Sequence, residues 1–276
     1  MFLSRRRCFG AAVTSVAGGT LPTHDPAAFA AAHAATGAMF DVVTRRGALI
    51  VGASLGTPPF GTTTADMEPD GYDVSVARLL ARELGVGLQV VDTIAADRIP
   101  SLMSGKLDIV VSSLSITPER ARDIAFSNAV YVDQQVVVGA KGAAVPSLSA
   151  LRGQRIGVTR STTNDVVLTR RAPGGTDIRR FDDDAGTSRA LLAGQVQAIV
   201  SSSAVAAAIK DRSPALALET KFVIGEAPMA IGLRRGDADW LHWLNTCLFM
   251  LWTNRELQAL QQKWMGAANA EQPRFG

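Results

Sequence analysis

Ser112-Ser113-Leu114-Ser115-Ile116-Thr117-Pro118-Glu119-Arg120 is the stretch on which the reading of this chain turns. It follows a short apolar run, Asp108-Ile109-Val110-Val111, which reads as a buried parallel strand. Thr117 is a good N-cap, Pro118 suits a first helical position, and Glu119 suits a positive first turn. The spacing therefore predicts a strand, a hydroxyl-rich turn and a helix start. Such a turn offers backbone N–H groups and serine hydroxyls to an anion. Arg120, placed in the first turn, can grip a carboxylate with its two-pronged guanidinium. The plainer reading is that Ser, Thr and Pro cap a helix and Arg120 is a solvated surface charge.

The longer run SSLSITPERARDIAFSNAVY, residues 112–131, resembles the signature of bacterial extracellular solute-binding proteins of family 3, the amino-acid receptors of ABC importers. The resemblance spans most of residues 47–266, with several motifs in order. Gly71-Tyr72-Asp73 with Ala77 matches a scaffold pattern, Ser147–Gly153 matches a turn, and Lys263-Trp264-Met265-Gly266 matches the closing motif. It implies an α/β fold of the type II periplasmic-binding-protein kind, with two doubly wound lobes joined by a two-strand hinge. The alternation of strand and helix patterns along the chain agrees. The expected boundaries are a leader at 1–38, lobe one at 40–132 and 229–266, lobe two at 133–228, and a tail at 267–276. The chain is expected to leave lobe one near Val132 and to return near Pro228.

The resemblance also implies a site. Ser113, Ser115 and Arg120 are expected to hold a ligand carboxylate from lobe one, with Thr162, Thr163 and Ser202 meeting the ligand from lobe two. Thr57 lies in the turn Thr57-Pro58-Pro59-Phe60 after the first strand, where relatives with apolar or cationic ligands often carry an aromatic; Phe60 is expected to pack beneath. Asp97-Arg98-Ile99-Pro100 resembles the spelling of receptors for acidic amino acids, in which the arginine reaches a side-chain carboxylate. The alternative for Arg98 is a helix-start arginine paired with Asp92 or Asp97. In lobe two, Ser161 stands where the family has glycine, which narrows the backbone choices of that turn. Helix capping is the alternative role for Thr162 and Thr163.

Ser202 is the most informative departure. Amino-acid receptors of the family usually carry there an aspartate that pairs with the ligand's α-ammonium, and a buried ammonium without a counter-charge costs several kcal/mol. Either the ligand lacks an ammonium, or another acid, Asp165 or Glu226, takes over. The ligand classes left open are an amino acid, acidic if Arg98 contributes, and a dicarboxylate or other organic acid.

Composition excludes several classes. Hydrophobic residues make up 47% and charged residues 19% of 276, an ordinary globular balance. Arg5-Arg6-Arg7 followed by a short apolar run and alanine-rich sites at 28–34 reads as a cleavable secretory signal, too short to span a membrane. Residues 1–39 hold three Arg and one Asp, so without them 25 basic residues face 24 acidic ones. No basic stripe points to nucleic acid. Cys247 is then the one remaining cysteine, which allows no internal disulfide. His242 is the one histidine after residue 39, between Trp240 and Trp243, which argues against a Ser-His-Asp triad. No metal cluster, P-loop or dinucleotide fingerprint is present, so no cofactor is expected.

The expectation is a periplasmic receptor for a small carboxylate-bearing ligand, a monomer serving an inner-membrane ABC permease. The apolar breadth of the Trp240–Trp252 helix leaves a dimer surface open. Two other readings compete. Periplasmic cyclohexadienyl dehydratases resemble this family but need an acid in the cleft, for which Asp165 is the candidate. A ligand-sensing accessory protein is the third.

Overall fold

The structure, a computed structural model, describes residues 39–269. The arginine-rich leader, the alanine-rich cleavage sites and the end of the tail lie outside the described residues.

Ten strands form among the described residues: β1 (Ala48–Ala53), β2 (Thr62–Thr63), β3 (Pro69–Asp70), β4 (Gly87–Asp92), β5 (Ile109–Val110), β6 (Ile124–Ala140), β7 (Arg155–Thr159), β8 (Asp177–Phe181), β9 (Ala198–Ser202) and β10 (Leu218–Arg234). Eight of them join in one sheet of order β4-β1-β5-β10-β6-β9-β7-β8, while β2 and β3 form a small hairpin. At one end β4, β1 and β5 pair in parallel, and at the other β8, β7 and β9 do the same. Parallel strands require helical crossovers, and the helices α1 (Met39–Arg46), α2 (Tyr72–Leu84), α3 (Arg98–Met103), α4 (Thr163–Arg171), α5 (Asp184–Leu192) and α6 (Ser203–Arg212) flank them. Two further helices, α7 (Ala238–Thr253) and α8 (Glu256–Met265), close the described chain.

The two parallel ends are tied together by β6 and β10. Each is 17 residues long, and they run antiparallel along their length. Val132 and Pro228, the residues at which the chain is expected to cross, are paired with each other in this ladder. The sequence patterns mark Tyr131–Val138 and Met229 onward as extended but miss Leu218–Pro228. Those residues alternate weakly because the half-exposed ribbon gives them no single buried face. The hairpin, α1 and β8 are missed because they are short or polar.

A further correction concerns the opening motif. No α-helix follows Thr117; Arg120–Arg122 make a single 3-10 turn, because Ile124–Phe126 are already committed to the sheet beside Gly232 and Leu233. The capping itself is real, with the Arg120 N–H donating to Thr117 Oγ1 at 3.1 Å. The tryptophan stripe of α7 turns inward, burying Trp240, Leu244, Cys247, Leu248 and Leu251. Trp243 stacks on Trp240 at 5.3 Å.

Helix α2 shows how tightly the scaffold around the site is fitted. Val76, Ala77, Leu80 and Ala81 recur at helical spacing and are buried, and Gly85 ends the helix in a left-handed conformation. At its start Gly71 has φ 119°, and a methyl group there would lie 2.4 Å from the Phe60 carbonyl oxygen. Gly71→Ala is therefore expected to destabilise the fold by about 2 kcal/mol, measurable as a lowered midpoint of urea unfolding. An unchanged midpoint would show that the Phe60 turn yields.

Candidate functional site

The four polar turns selected from the sequence follow β1, β5, β7 and β9, at the carboxyl ends of parallel strands where open α/β sheets place their ligands. They converge on one cleft. Thr57, Arg98, Ser113, Ser115, Arg120, Thr162, Thr163 and Ser202 all line it, together with Phe60, Gln135, Asn164, Asp184, Ser201, Val205, Ala227 and Met229.

Arg98 is buried, at 4% exposure, and its Nη2 donates to Ser54 Oγ at 2.8 Å. Neither Asp92 nor Asp97 pairs with it, so the surface-pair alternative fails: Asp92 instead accepts the Leu55 N–H. Ser54 also takes a bond from Ser112 Oγ at 3.0 Å and passes its own proton to the Thr93 carbonyl at 2.5 Å. The Arg98 Nε has no hydrogen-bond partner among the described residues. That Nε is itself closed off from solvent, so Arg98 meets the cleft as a charge rather than through this N–H. Burial holds its pKa below the ordinary arginine value, opposed by the charges of Asp184 and Asp73.

Arg120 is half-buried. Its Nη1 donates to the Ser115 carbonyl at 2.8 Å, and its Nη2 reaches across to the Ser161 carbonyl at 3.3 Å. Burial lowers its pKa to about 10, and the nearby Arg98 charge adds to the effect. Arg120 is thus no solvated surface charge.

The turn that holds these groups is built differently from a helix N-terminus. Ser113 has φ 41°, and its N–H is already donated to Asp73 Oδ2 at 2.8 Å. Asp73, the scaffold acid of the Gly-Tyr-Asp motif, is therefore the strut beneath the Ser113 turn. Burial raises its pKa to about 7, against the lowering effects of the Ser113 N–H and Arg98. A carboxyl whose folded pKa lies above its unfolded value binds its proton more tightly when folded. Its stabilising contribution is full below about pH 4 and is lost as pH rises through about 7. Stability is expected to fall across that window through Asp73, and Asp73→Asn should flatten the slope in urea melts taken from pH 4 to 8. A slope unchanged in the variant would reject the assignment.

From the other side, Thr163 Oγ1 lies 3.0 Å from Ser115 Oγ and accepts from Gln135 Nε2 at 3.3 Å. Thr57 Oγ1 donates to Asp184 Oδ2 at 2.9 Å. The two parallel ends of the sheet are thus bonded across the cleft. Thr162 is a cap: its hydroxyl donates to the Thr159 carbonyl at 2.6 Å and accepts the Asp165 N–H at 3.2 Å. Its hydroxyl proton is not free for a ligand. Ser202 likewise caps α6, accepting the Val205 N–H at 3.2 Å. Ser161 adopts φ 62°, the conformation in which glycine sits without strain.

Neither candidate replacement for the missing aspartate faces the cleft. Asp165 is held by Arg180 at 2.9 Å, and Glu226 lies exposed on β10. Asp133, close to Ser202, is occupied by the Ser203 hydroxyl and the Ala204 N–H. The acid that does line the cleft is Asp184, at the start of α5. Sequence reasoning missed it because it is the third of three consecutive aspartates, a run that reads as a solvated helix start. Gln135 was missed too, as one residue of an extended run; it pairs with Ser202 in the β6–β9 ladder.

Comparison with known proteins agrees with this architecture. The model of bacterial extracellular solute-binding proteins, family 3, matches residues 49–267. The L-cystine-binding protein TcyJ of Escherichia coli is 30% identical over 240 residues, covering 83% of this chain and 86% of that protein. A mutant of the arginine-binding protein ArgBP of T. maritima superposes with a TM-score of 0.77 at 31% identity, covering 82% of this chain and 99% of the other. An ancestral amino-acid-binding protein described as a precursor of cyclohexadienyl dehydratase matches with a TM-score of 0.77 at 29% identity, covering 82% and 99%.

Proposed function

This chain belongs to the bacterial extracellular solute-binding proteins of family 3, and from that premise we propose that it is the exported receptor of an ABC importer for a small carboxylate-bearing ligand. On this reading residues 40–132 with 229–266 form one lobe, residues 133–228 form the other, and residues 1–38 are a cleaved signal. The protein works as a periplasmic monomer, and its closed, loaded form is what the inner-membrane permease engages.

The observation that carries the reading is the placement of two guanidiniums, Arg98 and Arg120, in one cleft whose walls come from both ends of the sheet. Two like charges in one cleft favour an anionic occupant. Hydrogen bonds across the cleft from Ser115 to Thr163 and from Thr57 to Asp184 are of the kind that a shared ligand reinforces on closure.

The test is a thermal-shift screen with proteinogenic amino acids, dicarboxylates, keto acids and prephenate. A ligand at a hundredfold above its Kd adds about 2.7 kcal/mol, a clear rise in Tm. A shift with at least one carboxylate is expected, and no shift with any member of the panel would reject the receptor reading. The dehydratase precursor among the structural neighbours gives a second reading, in which the cleft acid Asp184 serves elimination chemistry. Consumption of prephenate would favour it; prephenate recovered intact would not.

A further inference from the structure

Among the described residues, three charged side chains line the cleft: Arg98, Arg120 and Asp184. Two cations and one anion are the complement of a molecule bearing two carboxylates and one ammonium. We propose that Asp184 is the counter-ion for a ligand ammonium, so that the cleft takes an amino dicarboxylic acid rather than a dicarboxylate or another bare organic acid. This rests on the receptor reading and narrows its ligand.

The geometry singles out Asp184 among the acids. Asp73 is buried behind the Ser113 turn, and Asp133 is committed to the α6 start. Asp165 is paired with Arg180. Asp184 accepts one bond on each oxygen, from Thr159 Oγ1 at 2.7 Å and from Thr57 Oγ1 at 2.9 Å. Each carboxylate oxygen has a second acceptor site, so both can still receive an ammonium. The two hydroxyls fix the carboxylate in place, and one of them reaches it from the opposite wall. An ammonium bound here therefore touches a group that both walls hold, as a ligand that drives closure must.

The arginines supply the rest of the pattern. Arg120 already spans the cleft through the Ser115 and Ser161 carbonyls and suits one carboxylate. Arg98, 4% exposed and lining the same cleft, suits a second. A monocarboxylic amino acid would leave one of the two guanidiniums without a ligand carboxylate, so that Arg98 rested on the charges of Asp184 and Asp73 alone. A dicarboxylate would leave Asp184 facing a ligand that carries only negative charge.

Titration calorimetry on the purified protein with L-glutamate and L-aspartate, set against glutarate and succinate, removes the ammonium and nothing else. The amino acid should bind at least about tenfold more tightly than its deaminated counterpart. Asp184→Asn should erase that preference by weakening the amino acid and sparing the diacid, and Asp184→Glu should keep part of it. The wild-type comparison decides the matter even if the asparagine variant fails to fold. Equal binding of amino acid and diacid overturns the role of Asp184 and leaves the receptor standing. Tighter binding of L-glutamine than of L-glutamate overturns the second carboxylate. Failure of every member of the wider carboxylate panel overturns the receptor reading itself, and this inference with it.

Discussion

Arg120→Ala is expected to weaken ligand binding by at least about 2 kcal/mol, roughly thirtyfold in Kd, in a protein that remains folded. The expectation follows from where the guanidinium sits. It is half-buried, its pKa is lowered to about 10 chiefly by burial, and it bonds carbonyls on both walls. Removing it takes away the cation and also a link that spans the cleft. The carbonyls of Ser115 and Ser161 lose a donor, but both lie near the cleft surface, where water can replace it. The cost should therefore appear in affinity more than in stability. Arg120→Lys restores the charge without the fork and should recover only part of the loss. Unchanged calorimetric affinity in Arg120→Ala would reject the carboxylate clamp.

Arg98→Met should cost more in binding, about 3 kcal/mol, while leaving the Tm within a few degrees. A buried guanidinium with an unpartnered N–H is a poor contributor to stability, since its desolvation is only partly compensated. Methionine fills similar volume without that penalty. Ser54 keeps its bonds to Thr93 and Ser112, so the small polar network beneath survives. A residue retained for structure would show the reverse pattern, a large fall in Tm with little change in affinity. Paired calorimetry and thermal melts on the variant separate the two.

The sequence was more explicit about the site than about the scaffold's edges. Ser113, Ser115 and Arg120 were legible because a hydroxyl-rich turn after an apolar run is a local signal, while Thr57, Arg98, Thr162, Thr163 and Ser202 drew on the family resemblance; all eight reach one cleft. What those turns do was less legible. Ser113 gives its N–H to Asp73, and Thr162 spends its hydroxyl on capping, because such groups satisfy the nearest backbone partner first. Asp184 was hidden because its role depends on Thr57, 127 residues away in the chain. No local pattern encodes such a contact. The same limit hid the second half of the crossing ribbon, since Leu218–Pro228 is extended only by virtue of its pairing with β6.

The pairing of Val132 with Pro228 has a mechanical consequence. A ribbon two strands wide is stiff against shear in its own plane, where every displacement must break ladder bonds, and compliant to bending out of it. β10 also carries register shifts on both sides of its contact with Ala129, between Met229 and Ala230 and between Ala230 and Gly232. Bulges of this kind sharpen twist and let a strand bend without losing its partner. On the proposed two-lobe reading, flexing about such a ribbon has in effect one soft coordinate. Occupancy of the cleft would then be reported outward as an angle between two rigid bodies, a quantity that a docking partner can gauge without ever touching the solute.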